Sequence, residues 1–215
     1  MSTQQPTQQY VVVVPVKPPA LGKSRLVGLS DVERRQLAEG FAVDTVAACL
    51  AAEAVAAVLV VTDDASFSRV LGDLGSVAIP DGVAGDLNGA LRQGAAEARR
   101  RWPDLVPVAV CADLPALRAV DLDSVLGRVG TDRPRFVPDA EGVGTTMYVA
   151  AYQEFDPRFG PRSREAHLEA GAVELLDVPP SLRRDVDDLD DLRDAITLGL
   201  GPSSSARVPR ELPRT

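Results

Sequence analysis

The feature that most constrains the fold is a set of short, uninterrupted apolar runs. Residues 10–16 (YVVVVPV), 56–62 (AAVLVVT) and 105–113 (LVPVAVCAD) are rich in β-branched side chains and are too short for typical helices. A strand that is apolar at successive positions is buried on both faces, as in a parallel sheet that helices cover on both sides. The sequence therefore predicts an α/β fold with a parallel or mixed sheet.

Helix start signals lie between the apolar runs. Ser30 followed by Glu33 is a capping box, in which each residue bonds the backbone of the other. Asp86 is placed to cap a second helix that ends near Arg101, and a closing helix is predicted over 188–198. The remaining predicted elements are a short helix capped by Asp63-Asp64, strands at 77–79, 135–140, 145–152 and 173–178, and a helix at 163–170.

One domain is predicted over residues 10–200. The length of 215 residues, of which 45% are hydrophobic, suits a single core. The first nine residues (MSTQQPTQQ) and residues 201–215 (GPSSSARVPRELPRT) contain few large apolar side chains. We therefore expect a disordered N-terminus and a flexible C-terminal tail.

Charge and composition exclude several classes of function. With a formal net charge of -8 and a pI near 4.7, the chain has little electrostatic attraction for nucleic acid. No apolar stretch is long enough to cross a membrane and the N-terminus has no apolar signal segment, so a cytoplasmic location is expected. Cys49 and Cys111 fall in a predicted helix and a predicted strand, and neither requires an oxidising compartment.

The loop after the first strand contains Gly-Lys-Ser at 22–24, which is the end of a Walker A motif. The leading glycine of that motif would be residue 17, which is a lysine, and the prolines at 18–19 lack N–H groups that a phosphate-binding loop uses. The Walker A interpretation is therefore excluded. Lys17, Lys23 and Arg25 remain as cations that either neutralise a triphosphate or form a solvated basic loop. Their spacing does not separate these alternatives.

Two aspartates far apart in the sequence are candidates for a metal site. Asp113 comes directly after a buried strand, and Asp185 precedes the closing helix. Carboxylate oxygens are the ligands that Mg²⁺ prefers, and such a pair suits phosphoryl-transfer chemistry. Ligands of such sheets bind beyond the carboxyl ends of the strands, so Lys17, Asp113 and the loop before Asp81 are expected to face one crevice. Four nearby acids fit the first turn of the closing helix, so most of this run is predicted to be structural: Asp187, Asp188, Asp190 and Asp191.

A second group of residues predicts an anion-binding corner. Thr145 begins a strand close behind two glycines, and Gly160 and Ser163 lie at the start of a predicted helix. Free N–H groups, a hydroxyl and the positive end of a helix dipole suit an anion, although Ser163 is alternatively an ordinary helix cap. Asn88, at another helix start, either contacts a base or ribose or is only a helix-start residue. His167 is the sole histidine, without partners for a metal or triad site, and is expected at the surface or behind the site.

The order of these motifs resembles one enzyme family. The segments are PVK…GKSRL, DLNGAL, CADLPAL, GVGTT, PRFGPRS and RRDVDD, and together they span residues 11 to about 199. They resemble the guanylyltransferases that activate 2-phospholactate or phosphoenolpyruvate on the route to the deazaflavin coenzyme F-420. The segment PRFGP-S followed by GAVEL and DVD is specific, whereas DLPAL also occurs in related nucleotidyltransferases.

The resemblance implies a single-domain nucleotidyltransferase fold of the GT-A or Rossmann-like type. It also implies roles for individual residues. Asp113 and Asp185 would hold a divalent metal, Mg²⁺ or alternatively Mn²⁺. Phosphoenolpyruvate would be bound by Thr145, Gly160 and Ser163. The GTP phosphates would face Lys17, Lys23 and Arg25, and the nucleoside would face Asn88.

The activity implied by the resemblance is transfer of GMP from GTP to the phosphate of phosphoenolpyruvate, which gives enolpyruvoyl-diphospho-guanosine and pyrophosphate. Lys23, Asp113 and Asp185 would be the catalytic residues, and the unstable product would pass to the next enzyme of the pathway. Three alternatives stay open at this point. They are 2-phospholactate as the acceptor, another same-fold enzyme such as a molybdopterin guanylyltransferase, and a non-catalytic nucleotide-binding regulator.

Overall fold

A computed structural model describes residues 8–17, 23, 25–82 and 85–213. Seven strands within these residues form one sheet with the order β3-β2-β1-β4-β6-β5-β7. The strands β1 to β4 are mutually parallel, β6 runs antiparallel to both β4 and β5, and β7 is parallel to β5. The predicted mixed, mostly parallel sheet is confirmed. The strand bounds are β1 Tyr10–Pro15, β2 Val55–Val61, β3 Val77–Ile79, β4 Val106–Val110, β5 Arg135–Pro138, β6 Thr145–Val149 and β7 Val173–Glu174.

Helices cover both faces of the sheet. The first of them is capped by Ser30 and Glu33 in the predicted capping box, and Asp86 and Asp188 cap the predicted helices that follow them. The helix bounds are α1 Asp31–Ala51, α2 Ala65–Asp73, α3 Leu87–Arg101, α4 Ala119–Leu126, α5 Ser163–Glu169, α6 Pro180–Arg183, α7 Leu189–Leu198 and α8 Pro202–Ser205, with a 3-10 turn at Tyr152–Glu154.

The central strand β1 shows why the apolar runs are continuous. Val12 and Val14 belong to the core on the α1 face of the sheet, whereas Val11 and Val13 pack on the opposite face against α3. All four side chains are fully buried, and burial of each stabilises the fold by roughly 1.5–3 kcal/mol. A strand in this position therefore tolerates no polar residue on either side.

The strand predicted at 173–178 is shorter than expected. The paired strand β7 contains only Val173–Glu174. Asp177 has a φ of 55°, in the left-handed region, and Leu176 is 70% exposed. The apolar run therefore leaves the sheet in a turn. Of its two leucines, Leu175 packs against the core and Leu176 faces solvent. The short helices α4 and α6 are elements that the sequence patterns did not predict.

The C-terminal segment differs from the flexible tail that its composition predicts. Helix α8 packs against α1, and the Asp44 carboxylate accepts hydrogen bonds from the backbone N–H groups of Ser203 (3.0 Å) and Ser204 (2.7 Å). A Cβ at Gly201 would lie 2.3 Å from the Asp44 carboxyl carbon, so only glycine fits there. Val208 also packs against an apolar cluster. Backbone bonds to a buried acid hold this segment, and an apolar-residue count cannot reveal them.

The ends of the chain are described only in part. Residues 1–7 and 214–215 lie outside the described residues, so the expected disorder of the N-terminus is tested only at Gln8 and Gln9. The Gln9 amide donates a hydrogen bond to the Glu53 carbonyl oxygen at 3.3 Å. In the part of the chain that the structure describes, no helix combines the length and apolar character needed to span a bilayer.

Candidate active site

A cavity of about 300 Å³ opens at the carboxyl ends of β1 and β4. This is the place where ligands of parallel α/β sheets bind. Lys17 and Asp113 both line it, as the crevice prediction requires. Among the described residues, the loop before Asp81 does not line the cavity, and the Asp81 N–H donates to the Asp63 carboxylate at 2.9 Å. The lining residues are Pro15, Val16, Lys17, Lys23, Ala38, Ala42, Leu87, Leu91, Val110, Cys111, Ala112, Asp113, Phe159 and Asp187.

Three carboxylates meet at this cavity. Asp113, Asp185 and Asp187 each offer an oxygen, and these oxygens lie within 4.8 Å of one another. The segment that carries Asp185 and Asp187 is joined to the turn at Asp113 by a hydrogen bond from the Val186 N–H to the Asp113 carbonyl oxygen (3.1 Å). The structure therefore brings together the two aspartates predicted as metal ligands and adds a third.

The prediction that Asp187 belongs to the helix-capping acids was wrong. Asp188 caps α7 in a capping box with Asp191, and Asp187 lies outside the helix in the carboxylate cluster. The sequence does contain a signal for this in the pattern Asp-Val-Asp. In an extended segment, residues two apart point to the same side, and the intervening Val186 is fully buried on the other side.

The environment of Asp185 suits a bound cation. Its Oδ1 atom is buried and has no hydrogen-bond partner among the described residues. Burial, followed by the charges of Asp113 and Asp187, raises the pKa of Asp185 to about 8. A buried carboxylate without a partner is costly, and a divalent cation coordinated by oxygen atoms compensates this cost. The donor set therefore fits Mg²⁺ or Mn²⁺.

Lys23 lies inside the same cluster. Its Nζ donates to a carboxylate oxygen of Asp113 and to Oδ1 of Asp187, the latter at 3.0 Å, and its side chain is only 11% exposed. Burial alone would lower the pKa of Lys23, but the neighbouring charges of Asp113 and Asp187 outweigh burial and raise it. Lys23 is therefore a cation at neutral pH, and it neutralises part of the negative charge of Asp113 and Asp187.

The other two predicted cations are more exposed than Lys23. Lys17 is exposed and lines the cavity, and the Arg25 guanidinium lies 3.7 Å from an Asp187 oxygen with 78% of its side chain exposed. Residues 18–22 and 24 lie outside the described residues, so the exclusion of a Walker A loop rests on the sequence.

The turn that carries Asp113 is held by a residue that the sequence analysis missed. The buried hydroxyl of Thr45, in α1, accepts a hydrogen bond from the Leu114 N–H at 3.1 Å and lies 2.8 Å from the Phe41 carbonyl oxygen. The Gly201 N–H donates to the Pro115 carbonyl oxygen at 2.8 Å. Helix α1 and the C-terminal segment therefore fix the position of the Asp113 carboxylate.

The predicted anion-binding corner lies beside this cavity. Thr145 is the first residue of β6 and Ser163 the first of α5, and both side chains are buried. Arg162 occupies the cap position of α5 with a φ of 57° and no side-chain capping bond, so Ser163 is not an ordinary cap. Gly160 has a φ of 135°, which favours glycine.

His167 lies directly behind this corner and is fully buried, which excludes the surface alternative. Its Nδ1 lies 3.1 Å from the Thr145 hydroxyl, and its Nε2 accepts a hydrogen bond from the Arg158 N–H at 2.9 Å. The imidazole stacks on the rings of Tyr148 and Phe136, with centroid separations of 4.9 Å and 5.2 Å. Burial lowers the pKa of His167 to about 4, so the ring is neutral at pH 7.

Asn88 is engaged with the backbone near this corner. Its Oδ1 accepts a hydrogen bond from the Phe159 N–H (2.8 Å) and its Nδ2 donates to the Phe159 carbonyl oxygen (2.9 Å). The Phe159 side chain lines the cavity, whereas Asn88 does not. In this structure the Asn88 amide therefore supports the wall of the cavity.

Comparison with known proteins identifies the family. No family model matches the chain. A phosphoenolpyruvate guanylyltransferase of Streptomyces coelicolor is 50% identical over 208 residues, which cover 95% of this chain and 98% of the relative. Proteins with the same name from Streptomyces scabiei and Salinispora arenicola are 49% and 46% identical, over 95% and 93% of this chain and 98% and 93% of their own lengths. The chain belongs to the phosphoenolpyruvate guanylyltransferase family.

Solved structures agree with the fold of this guanylyltransferase family member. A nucleotide-diphospho-sugar transferase from Desulfovibrio desulfuricans, described as putative, superposes with a TM-score of 0.60 at 16% identity, over 89% of this chain and 96% of its own. A nucleotidyl transferase from Methanothermobacter thermautotrophicus gives 0.57 at 16% identity, over 88% and 97% of the two chains. A Mycobacterium tuberculosis protein solved in complex with manganese gives 0.53 at 20% identity, over 89% and 99%. The predicted nucleotidyltransferase fold is confirmed.

Proposed function

We propose that this chain transfers GMP from GTP to the phosphate of phosphoenolpyruvate, giving enolpyruvoyl-diphospho-guanosine and pyrophosphate. The relatives at 46–50% identity carry the name of this activity. The observation in the structure that supports it best is the cluster of Asp113, Asp185 and Asp187 around the Lys23 ammonium, with one buried carboxylate oxygen left unpaired. Such a site suits the chemistry of a triphosphate.

The reaction requires little covalent chemistry from the protein. An oxygen of the acceptor phosphate attacks the α-phosphorus of GTP, and the bond from that phosphorus to the bridging oxygen of the β-phosphate breaks. Pyrophosphate leaves with the electron pair of that bond. The attacking phosphate is already ionised near pH 7, so the step needs no side-chain base. Positioning and charge neutralisation then provide the rate enhancement.

We assign the metal site to Asp113 and Asp185, with Asp187 as a further ligand. A bound Mg²⁺ or Mn²⁺ would supply positive charge to the phosphate oxygens of the nucleotide. The chain itself holds the three carboxylates in place through the Asp113 turn and the extended segment around Val186.

The basic residues are assigned to the triphosphate. Lys23 is the catalytic cation because it is buried among the carboxylates. Lys17, which lines the cavity, and Arg25, which pairs with Asp187, add positive charge. The apolar lining by Leu87, Leu91 and Phe159 suits a nucleoside. The resemblance relates Asn88 to the nucleoside, but both polar atoms of its amide are bonded to the Phe159 backbone.

The acceptor is assigned to the corner formed by Thr145, Gly160 and Ser163. Phosphoenolpyruvate and 2-phospholactate share a phosphate and a carboxylate and differ at one carbon, so the residues of this corner do not discriminate between them. The names of the relatives favour phosphoenolpyruvate over 2-phospholactate and over a molybdopterin-type acceptor. By the same resemblance we place the reaction in coenzyme F-420 biosynthesis in the cytoplasm, with its product handed to the next enzyme of that route.

A pyrophosphate-release assay with GTP tests the proposal. Phosphoenolpyruvate and 2-phospholactate are offered separately, with Mg²⁺, with Mn²⁺ and with a chelator, and the guanylylated product is identified by mass spectrometry. We expect metal-dependent release with phosphoenolpyruvate. Faster release with 2-phospholactate would change the acceptor, and GTP binding without any release would support the non-catalytic regulator instead.

A further inference from the structure

The segment Arg158–Gly160 is held in place from two sides by side chains. On one side, the Asn88 amide forms both of its hydrogen bonds with the backbone of Phe159, at 2.8 and 2.9 Å. On the other side, Nε2 of His167 accepts from the N–H of Arg158 at 2.9 Å. Three backbone groups, the Arg158 N–H, the Phe159 N–H and the Phe159 carbonyl, are therefore fixed by two residues that lie 79 positions apart in sequence, on α3 and α5.

The fixed segment connects the wall of the cavity to the acceptor corner formed by Thr145, Gly160 and Ser163. The Phe159 side chain lines it beside Leu87 and Leu91, and Gly160 follows in the left-handed region, with a φ of 135°. The Gly160 carbonyl oxygen accepts from the Ser163 N–H at 3.1 Å. The direction of the Gly160 and Ser163 backbone therefore depends on where the preceding residues are held.

His167 also sets the position of Thr145. Since Nε2 accepts a hydrogen bond, the neutral ring carries its proton on Nδ1, which lies 3.1 Å from the Thr145 hydroxyl. The imidazole is kept in this orientation by its stacking on Phe136 and Tyr148. One buried ring therefore connects the strand and the loop that form the acceptor corner.

We propose that Asn88 and His167 are paired positioning residues for the acceptor: they contact no reacting atom, and they hold the Arg158–Gly160 segment and Thr145 in the arrangement that binds the acceptor acid. This rests on the proposed assignment of the corner to the acceptor. It differs from a direct contact of Asn88 with the nucleoside, because an indirect role through this segment changes acceptor binding more than GTP binding.

Steady-state kinetics with Mg²⁺ separate the two roles. The two test variants are Asn88→Ala and His167→Phe, the second of which keeps a stacking ring without its nitrogens. In each we expect the KM for phosphoenolpyruvate to rise about tenfold or more, because one or two hydrogen bonds are lost. The KM for GTP should change by less than about threefold. Asn88→Asp and His167→Gln, which keep an acceptor for the N–H groups of Phe159 and Arg158, should restore part of the loss. They also serve as the test if the first variants fail to fold.

The control is Tyr152→Phe. The Tyr152 hydroxyl donates to the Trp102 carbonyl oxygen at 3.2 Å, a part-buried bond that does not involve the segment, so this variant should keep both KM values. In the double variant Asn88→Ala/His167→Phe, the loss in acceptor kcat/KM should be smaller than the product of the single losses, because both residues act on one segment.

The possible outcomes separate this proposal from the proposed function. Wild-type protein that releases no pyrophosphate from GTP and phosphoenolpyruvate overturns the proposed function, and the inference with it. Active wild-type protein whose folded variants keep the acceptor KM overturns the inference alone. A rise confined to the KM for GTP overturns it in favour of direct contact between Asn88 and the nucleoside.

Discussion

The charged form of Asp185 is destabilised by its surroundings. Its carboxylate lies beside two others, and one of its buried oxygens has no hydrogen-bond partner among the described residues. Asp185→Asn and Asp187→Asn should each lower turnover on the order of a hundredfold or more, because each removes a ligand where phosphate charge must be neutralised. The measurement is pyrophosphate release at saturating GTP, with folding checked by circular dichroism.

The matched control for these two variants is Asp190→Asn, in the same acidic run. Asp190 is exposed and pairs with Arg193 on the surface of α7, so turnover should stay within about twofold. Near-normal turnover in a folded Asp187→Asn protein would return Asp187 to the structural acids, where the sequence analysis placed it.

His167 makes stability depend on pH in a defined window. Its pKa is lowered by burial from 6.5 to about 4; a hydrogen bond with the Ser163 backbone opposes this shift, the charge of Arg158 adds to it and the charge of Asp156 opposes it. Between pH 4 and 6.5 the unfolded chain therefore binds more protons than the folded chain. The contribution of the neutral, buried His167 to the free energy of unfolding is present above pH 6.5 and is lost as the pH falls towards 4. In His167→Gln, we expect the decrease in Tm between pH 6.5 and 4 to be smaller than in the wild type. Parallel Tm curves would show that His167 does not remain neutral in the folded state.

At the level of elements, the closeness of α3 to the sheet depends on Gly94. A Cβ at this position would lie 2.4 Å from a methyl carbon of Val13 and 3.0 Å from one of Val61. Gly94→Ala should therefore lower the free energy of unfolding by about 1–3 kcal/mol through overpacking, measured by urea denaturation. Gly72→Ala is the control, because a Cβ in α2 meets nothing within 4 Å. That change should raise the stability by about 0.5–1 kcal/mol.

Some elements were predictable from sequence because local chemistry determines them. The continuous apolar run of β1 and the Ser30–Glu33 capping box are each complete within a few residues, and the structure has both. Other features depend on distant partners. Helix α5 begins at the predicted residue, but burial of its His167 depends on Phe136 and Tyr148.

Some residues of the candidate site were likewise predictable from sequence, and others were not. Asp113 and Asp185 were recognisable as acids at the ends of apolar segments, and the family resemblance related them to a metal. Thr45 was not recognisable, because a threonine inside a helix normally bonds its own helix, and only the fold places the Leu114 N–H beside its hydroxyl. Asp187 was missed because its neighbours are true helix-capping acids.

On the scale of the whole molecule, the C-terminal segment stabilises both α1 and the site. Asp44→Ala removes the acceptor of the Ser203 and Ser204 N–H groups, so the free energy of unfolding should fall by about 2–4 kcal/mol. Turnover should fall as well, because the Gly201 N–H then loses its fixed position against Pro115, beside Asp113.

The control for this variant is Glu39→Ala in the same helix, which removes only a surface ion pair with Arg35 at 3.2 Å. It should change the stability by less than about 1 kcal/mol. If Asp44→Ala unfolds at the same denaturant concentration as Glu39→Ala, the C-terminal segment does not stabilise α1.

The position of this segment in the sequence also determines when the protein becomes competent during its synthesis. Domains begin to fold from the N-terminal side while the ribosome adds roughly 5–20 residues per second. Strands β1 to β4 are complete once Val110 has been made, but Asp185, Asp187 and the residues that dock on α1 come last. A nascent chain therefore presents Asp113 alone at the edge of a partly assembled sheet. A chain that stops before Asp185 lacks two of the three carboxylates of the cluster, so it should bind a metal ion and GTP more weakly than the longer chain.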